Sequence, residues 1–194
     1  MPSARDTARA MSQENVEVVV RLVDAWNQAN VEAMLALFDP ECEVIFPPEV
    51  PEPGPFHGHT ELREWAEGFL AAWESHHAEV VELIDADHSI VAILHLIGRG
   101  SGSGIEMDET DAHVFTFRDE KVTRWRNFSD RSEALEAAGL RESDGAYRRA
   151  QSCLLRRNAG AAGDDSVAAG LRDAVPAGGL AERPEQDSNL RPTP

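Results

Sequence analysis

The sequence predicts an α+β fold in which a curved antiparallel sheet packs on N-terminal helices and closes, like a cone, around a pocket. Three observations predict it. Apolar residues recur at helical spacing in three segments of the first half of the chain. Three strand-like runs then follow one another, at residues 89–99, 105–118 and 121–129. Polar residues occupy positions in these runs where the sheet should be buried, which is typical of a pocket with polar groups in its wall.

The three helical segments are delimited by capping residues and a proline. The first is predicted from Ser12 as N-cap to about residue 29. The second begins after Asn30, includes Phe38 on its apolar face and ends before Pro40. The third is predicted to begin at Thr60, and its apolar stripe is wide enough to lie across a sheet. The residues of that stripe are Leu62, Trp65, Ala66, Phe69, Leu70 and Trp73.

The strands are predicted from alternation and from the links between runs. The first strand covers residues 41–46 and precedes a proline-rich loop at 47–55, which cannot join a central sheet. A further strand is predicted at 76–86, before the three runs named above. Short turn-forming links separate these later strands, so we expect consecutive antiparallel pairs.

One domain is predicted at residues 12–140, after a flexible N-terminus at 1–11. It ends with a short helix between the capping residue Asp130 and the C-terminal cap Gly139. All four Trp and all seven Phe precede Gly139, and residues 141–194 have too little apolar surface to offset the entropy of ordering. We therefore predict a disordered tail there. Its last residues are also typical of a reading frame that runs past its natural stop, a hypothesis that mass spectrometry of the native protein tests.

Charge and cysteine content restrict the partners and the compartment. The formal net charge is −17, and eight Arg balance eight Asp or Glu in residues 141–194, so the excess lies in residues 1–140. An acidic body repels phosphate backbones and anionic lipids, which argues against nucleic-acid and membrane partners. Cys42 and Cys153 are too few for a disulfide framework, and no apolar run reaches the length of a membrane span. We expect a cytoplasmic protein.

Candidate catalytic residues lie on the second of the three late strands. If Phe115 and Phe117 face the core, period-two alternation puts Asp111 and His113 on the same face. A carboxylate and an imidazole then share the pocket, and imidazole titrates near neutral pH. We predict that His113, oriented by Asp111, acts as a general acid or base. The alternative is a buried hydrogen-bonded network without turnover.

Two arginines on the last strand are predicted to bind substrate. If Val122 and Phe128 define the core face, Arg124 and Arg126 enter the pocket, where a guanidinium can hold a carboxylate or a developing enolate oxygen. If Trp125 is the core residue instead, both arginines lie on the outer face. The predicted apolar lining of the pocket is Trp26, Phe46, Trp65, Phe69, Phe115 and Phe128.

No metal or cofactor is expected. His57, His59, His76 and His77 lie in a turn and at a strand start, without the spacing that fixes two ligands on one helix face. The glycines between residues 98 and 104 do not open a helix after a strand, so they do not predict a phosphate-binding loop.

Several segments of the chain carry a family resemblance: Ala25-Trp26-Asn27, Leu37-Phe38-Asp39-Pro40, Phe56-His57-Gly58-His59, residues 112–118 and residues 121–126. Residues 12–140 resemble, through them, the nuclear transport factor 2-like superfamily and within it the SnoaL-like group. The resemblance implies the cone-shaped fold. It does not choose a reaction, because the superfamily includes isomerases, cyclases, dehydratases, hydrolases and purely binding or dimerising domains.

The chain departs from one branch of that superfamily. In the ketosteroid isomerase branch a general-base aspartate ends the first strand directly before a proline, whereas here Phe46 precedes Pro47. In that branch a second residue, an acid, donates a hydrogen bond to the oxyanion. By strand register its position lies near His113 in this chain, so the second catalytic group differs as well. A steroid-type isomerase is therefore not expected.

Two functions follow from the sequence. The leading hypothesis is a domain that binds a small apolar organic molecule and catalyses proton transfer, cyclisation or hydration through His113 and Asp111. The rival is a non-enzymatic ligand carrier, or an accessory domain that forms a homodimer through the outer face of the sheet. In the second case Trp125 is expected to lie on that outer face.

Overall fold

A curved sheet packed against N-terminal helices organises the fold, which confirms the predicted α+β class. The computed structural model of the chain describes residues 4–48, 50 and 54–141. The helices in this part of the chain are α1 (Ala4–Asn27), α2 (Val31–Leu35), α3 (Gly58–Ala72) and α4 (Arg131–Ala137). The strands are β1 (Phe38–Ile45), β2 (Phe56–His57), β3 (Trp73–Ala86), β4 (Ser89–Gly100), β5 (Glu106–Arg118) and β6 (Lys121–Phe128).

The strand order in the sheet is β2-β1-β6-β5-β4-β3. The strands from β3 to β6 form successive antiparallel pairs, as their short links predict. One pair departs from the antiparallel pattern of the sheet, because β1 pairs with β6 in parallel, with Val44 opposite Trp125. A parallel pair needs a long connection, and the chain from β2 to β5 supplies it.

The first two helices differ from their predicted bounds. The predicted start at Ser12 is wrong, because α1 begins at Ala4 and includes most of the segment expected as a flexible N-terminus. Alanine, arginine and methionine, which are frequent in that segment, have high intrinsic helix propensity. The Asn30 cap of α2 is confirmed, since its side chain accepts a hydrogen bond from the Ala33 N–H. Phe38 belongs to β1 and not to α2, so β1 begins earlier than predicted.

The third helix is capped differently from the prediction. It begins at Gly58, so Thr60 is not its N-cap. The Glu61 carboxylate instead reaches back and accepts a hydrogen bond from the His57 N–H, at 2.7 Å. At the other end Trp73 is the first residue of β3 and not the last of the helix. The buried residues of α3 are Leu62 and Ala66, and both belong to the predicted apolar stripe.

Buried residues form two clusters, one on each face of the sheet. The inner cluster joins α1, α2 and α3 to the sheet. Its largest fully buried members are Phe38, Phe115, Met34, Leu62 and Ile90. The outer cluster lies under α4, which packs Ala134 and Leu135 against Val91 and Val114. Since α4 covers this outer cluster, the inner face is where the sheet and helices leave room for a cavity.

The predicted capping of α4 is confirmed. The Asp130 carboxylate accepts a hydrogen bond from the Glu133 N–H, and Gly139, with φ of +79°, follows the last turn. The predicted disordered tail, residues 141–194, lies outside the described residues apart from Arg141. Within the described part of the chain, no helix is both long and apolar enough to cross a bilayer.

Candidate functional site

A cavity of about 710 Å³ lies between the inner face of the sheet and the helices α1 and α3. Most of its lining is apolar. The structure places five of the six residues predicted as apolar lining in its wall: Trp26, Phe46, Trp65, Phe69 and Phe115. The sixth, Phe128, does not line it and packs instead with the outer cluster. That these residues bind a substrate stays a prediction.

Aromatic rings pack against one another along this wall. Phe46 stacks on Trp65, with ring centroids 4.4 Å apart and planes at 27°, and Trp26 stacks on the same indole at 5.8 Å. Trp125 meets both Phe46 and Trp65 edge-on. Offset and edge-to-face pairs stabilise each other beyond the burial of their area. The result is a wall whose rings hold one another in fixed orientations.

The inner face of β5 carries polar groups from the interior of the cavity to its mouth. Phe115, His113, Asp111 and Glu109 alternate along the strand and all line the cavity. Exposure rises along this series, because Phe115 and His113 are buried, Asp111 is half-buried and Glu109 is exposed. The prediction that Asp111 and His113 share the face of Phe115 is therefore confirmed as a matter of geometry.

The mouth is formed in part by the turn between β4 and β5. Ser103 and Ile105 of this turn line the cavity, and Ile105 is 65% exposed. The turn is tied to the end of α3 by a hydrogen bond from the Ser101 N–H to the Ala72 carbonyl, at 2.8 Å. This bond closes one side of the cavity between a helix end and a hairpin.

His113 is a neutral hydrogen-bonding group. Its side chain is 3% exposed, and its Nδ1 accepts a hydrogen bond from the Trp125 Nε1–H at 3.0 Å. An indole nitrogen only donates, so the neutral ring carries its proton on Nε2. Burial lowers the pKa of His113 to about 3. The expectation of an imidazole that titrates near neutral pH is therefore wrong, and the residue that orients it is Trp125 rather than Asp111.

Asn127 connects the two predicted catalytic residues. Its Nδ2 donates to the Asp111 Oδ2 at 3.3 Å and lies 3.5 Å from the His113 Nε2. The His113 Nε2 also carries a proton, so two N–H donors face each other. The Asn127 amide nitrogen therefore gives the His113 Nε2–H no acceptor. The Asn127 Oδ1 is itself buried without a partner among the described residues. These unmatched groups lie where the cavity is lined.

Asp111 is the titratable group of the cluster. Burial raises the pKa of its carboxyl, and the hydrogen bond from Asn127 offsets part of that rise. A carboxyl whose pKa moves up from its ordinary value is better matched to proton transfer than an unperturbed one. The shifts of the two pKa values are thus opposite: the pKa of Asp111 is raised, and that of the buried His113 is lowered.

A bulge in β6 explains why the arginine prediction is wrong. Phe117 pairs with Val122 and Thr116 with Arg124, so Thr123 is an extra residue in the ladder. Val122 and Trp125 therefore both face the inner cluster, although simple alternation separates them. After the bulge, Trp125 and Asn127 face the cavity, which the sequence analysis missed as site residues.

Arg124 and Arg126 lie away from the cavity. The Arg124 Nε is 2.6 Å from a Glu43 carboxylate oxygen on the neighbouring strand. Arg126 donates to the Ala137 carbonyl of α4 at 2.9 Å, and its guanidinium lies over the Phe128 ring, 5.4 Å from the centroid. Neither arginine nor Phe128 can hold a ligand in this cavity, so their predicted role in substrate binding is corrected.

Within the described residues, no three His, Cys, Asp or Glu side chains are grouped so that they could hold a metal ion. Two of the histidines considered in the sequence bond to backbone carbonyl groups. The His76 Nε2 lies 2.9 Å from the Trp26 oxygen, and the His59 Nε2 lies 3.2 Å from the Phe38 oxygen.

The family is established by a match to the model of the SnoaL-like domain. That match covers residues 19–125, which is 107 of the 194 residues. The chain belongs to the SnoaL-like domain family. The comparison with curated protein sequences gives no match.

Solved structures with the same fold are similar to this SnoaL-like domain at low sequence identity. A hypothetical protein with a ketosteroid isomerase-like fold from Catenulispora acidiphila, in complex with trimethylamine, is 19% identical with a TM-score of 0.54, over 64% of this chain and 93% of its own. TerC, co-crystallized with polyporic acid, is 19% identical with a TM-score of 0.55, over 65% and 98%. A putative SnoaL-like polyketide cyclase from a Jannaschia species is 22% identical with a TM-score of 0.53, over 59% and 84%. These likenesses show the fold.

Proposed function

We propose that this SnoaL-like domain binds a mostly apolar organic molecule in its cavity and moves a proton to or from it through Asp111. One observation carries the proposal: Asp111, His113 and Asn127 form a hydrogen-bonding cluster within a cavity that is otherwise lined mainly by apolar and aromatic residues. A largely apolar pocket with a few convergent polar groups and a perturbed pKa is the usual form of a small-molecule site.

The proposed step assigns one role to each polar group. The ionised Asp111 carboxylate accepts a proton from an acidic C–H bond of the substrate, and the electron pair of that bond moves onto a substrate oxygen. The His113 Nε2–H donates a hydrogen bond to that oxygen as its negative charge develops. Asn127 holds the carboxylate through its N–H. Return of the proton to another atom gives an isomerisation, and attack of the carbanion on a second carbonyl gives a cyclisation.

The comparisons support ligand binding more than they support a reaction. Two of the similar structures contain small organic molecules, trimethylamine in one and polyporic acid in the other. A third is described as a putative polyketide cyclase. This agrees with a cavity that takes an organic ligand, and the proton transfer rests on the arrangement of Asp111 and His113.

The first test is a thermal-shift screen of the full chain against small aromatic, terpenoid and polyketide-like compounds. A ligand at about 100 times its Kd should stabilise the fold by about 2.7 kcal/mol, which is a shift of several degrees. His113→Phe should remove the shift, because it replaces the imidazole with a phenyl ring at the polar end of the cavity. Arg124→Ala is the matched control, since Arg124 lies off the cavity, and should leave the shift unchanged.

The second test separates an enzyme from a carrier. A compound from the screen that has an acidic C–H beside a carbonyl is incubated with the protein in deuterated buffer, and loss of its proton signal is followed by NMR. Proton transfer by Asp111 predicts catalysed exchange that falls by about a hundredfold or more in Asp111→Asn. Binding without exchange in both proteins would identify a carrier and remove Asp111 from any mechanism.

The homodimer expected from the sequence stays a prediction, with a different surface. Trp125 lies in the inner cluster and is 5% exposed, so it is not available on the outer face. Ile97 of β4 is an exposed apolar residue on that face. Size-exclusion chromatography with light scattering tests the dimer, and a monomer at micromolar concentration would exclude it.

A further inference from the structure

The charged groups that line the cavity are all acidic. Glu106, Glu109 and Asp111 of β5 contribute carboxylates, and no Lys or Arg occurs among the described residues of the lining. The other titratable groups there are three histidines, of which His113 is neutral. His76 and His77 line the cavity from β3. An anion that enters this cavity therefore meets carboxylates and, among the described residues of the wall, no permanent positive charge.

The carboxylates form no ion pair with a side chain of residues 4–48, 50 and 54–141. No described residue forms an ion pair with Glu106 or Glu109, and the Asp111 carboxylate is bonded to the amide of Asn127. By contrast Asp108, which lies between Glu106 and Glu109 in the sequence, does not line the cavity. Its carboxylate is paired with His95 at 2.7 Å. The negative charge on the cavity side is thus left for a ligand to balance.

Basic side chains near the cavity are held elsewhere. The bulge at Thr123 turns Arg124 and Arg126 onto the outer face, where Arg124 pairs with Glu43. Arg99, on the strand beside the mouth, lies 3.7 Å from a Glu74 carboxylate oxygen. In the part of the chain that the structure describes, the lining therefore lacks a guanidinium group for a structural reason.

The same cavity is lined by tryptophan and phenylalanine rings, with Trp26, Trp65, Phe69 and Trp73 opposite the β5 carboxylates. The electron-rich face of an indole attracts a cation by about 0.5 to 2 kcal/mol, and most strongly where water is excluded. Carboxylates on one side and indoles on the other are the two groups that recognise an organic ammonium ion.

We propose that the cavity selects organic cations, namely amines carried on a flat apolar frame, over uncharged molecules of the same shape, and rejects the corresponding anions. The proposal rests on the proposed ligand binding in this cavity and adds the charge of the ligand. Glu109 and Glu106 at the mouth pair with the ammonium group, the Asp111 carboxylate adds negative potential inside, and the frame packs on the aromatic wall.

The experiment compares three probes that differ only in one substituent: naphthylmethylamine, naphthylmethanol and naphthoate, substituted at the same ring position. Isothermal titration of the full chain at about pH 8 keeps the amine cationic and an ordinary imidazole uncharged. We expect the amine to bind about tenfold more tightly than the alcohol, and the carboxylate to bind more weakly than either. Glu109→Gln should reduce the preference for the amine and leave the affinity for the alcohol unchanged.

The matched control is Glu120→Gln, which removes the same charge from the turn between β5 and β6, away from the cavity. An equal loss of amine affinity in Glu120→Gln and Glu109→Gln would assign the effect to the overall negative charge and overturn the proposal. Alcohol binding as tight as amine binding would also overturn it, while leaving ligand binding in the cavity intact. If none of the three probes bound, both the charge preference and the proposed ligand site would fail.

Discussion

The two faces of strands β5 and β6 put polar residues to different uses. On the outer face Arg124 is paired with Glu43, and Arg126 is anchored on α4 and over Phe128. On the inner face Asp111, His113 and Asn127 lie among aromatic rings and keep hydrogen-bonding groups that the protein does not match. The arginines are bound to other protein groups, although the Arg126 Nε is buried without a partner among the described residues, and the cavity is lined by the carboxyl, imidazole and amide groups.

A ligand site and a structural network in the same sheet place their polar groups by different rules. A structural polar group is best placed where its partner is already present, because an unmatched buried group costs about 1 to 3 kcal/mol. A ligand-binding group must lack a partner until the ligand arrives. The inner face accepts this cost at the His113 Nε2–H and the Asn127 Oδ1, and the comparison can be tested by removing groups from each face in turn.

The largest expected effect follows the loss of Trp125, which belongs to the inner face. Trp125→Ala should destabilise the fold by about 3 to 5 kcal/mol because it removes a buried ring that contacts Phe46, Trp65 and His113. Denaturant unfolding followed by circular dichroism measures it. Trp125→Phe keeps most of the packing but removes the N–H that binds His113, so a cost near that of the alanine variant would show that the hydrogen bond dominates.

The next effect is a dependence of stability on pH through His113. In the unfolded chain this imidazole binds a proton below about pH 6.5, whereas in the folded protein it does so only at about pH 3. Its contribution is therefore lost on acidification, by up to about 1.4 kcal/mol per pH unit within that window. His113→Gln, which cannot titrate, should show a flatter loss between those pH values. Parallel curves for the two proteins would mean that the imidazole is not held neutral.

A smaller effect of opposite sign is expected at Asp111. Its raised pKa means that folding favours the protonated carboxyl, so the ionised form is a cost at neutral pH. Asp111→Asn should raise Tm at pH 7, because the amide keeps the shape of the side chain and removes the charge. The gain should shrink as the pH falls through the raised pKa of the native protein. A loss of stability at pH 7 would contradict an uncompensated carboxyl.

The smallest effect is expected on the outer face. Arg124→Ala breaks a partly exposed ion pair with Glu43, and such pairs contribute about 0 to 1 kcal/mol. Ligand affinity should not change, because Arg124 does not line the cavity. Titration of a ligand found in the thermal-shift screen, run on Arg124→Ala beside Asp111→Asn, checks both statements. An equal loss of affinity in the two variants would remove the distinction between the faces.

Much of the fold could be predicted from the sequence because its signals are local. The Asn30 and Asp130 caps and the late strands follow from residues within a few positions of each element. The parallel neighbour of β1 could not be predicted, since it is set by pairing across about eighty residues. Alternation on β5 correctly placed Asp111 and His113, because that strand's face stays constant from Met107 to Phe115.

Less of the candidate site could be predicted, for two physical reasons. Alternation assumes a regular ladder, and the extra residue Thr123 changes the face of every following residue, so Arg124 was favoured over Trp125. The protonation of His113 depends on how completely it is buried, which a sequence does not give. The alternative assignment of β6, in which Trp125 faces the core, also turns Asn127 inward. That alternation is the signal from which Asn127 could have been predicted.

The bulge at Thr123 also has a consequence for how such proteins diverge. The groups that face the cavity depend on the irregular pairing of β6 at Thr123 as much as on the residues of the strand. If the same residues followed a regular ladder after Val122, Arg124 and Arg126 would face the cavity in place of Trp125 and Asn127, and two guanidinium groups would replace an indole and an amide. Relatives with nearly the same last strand can therefore differ in the charge of their cavity lining according to whether the bulge is present.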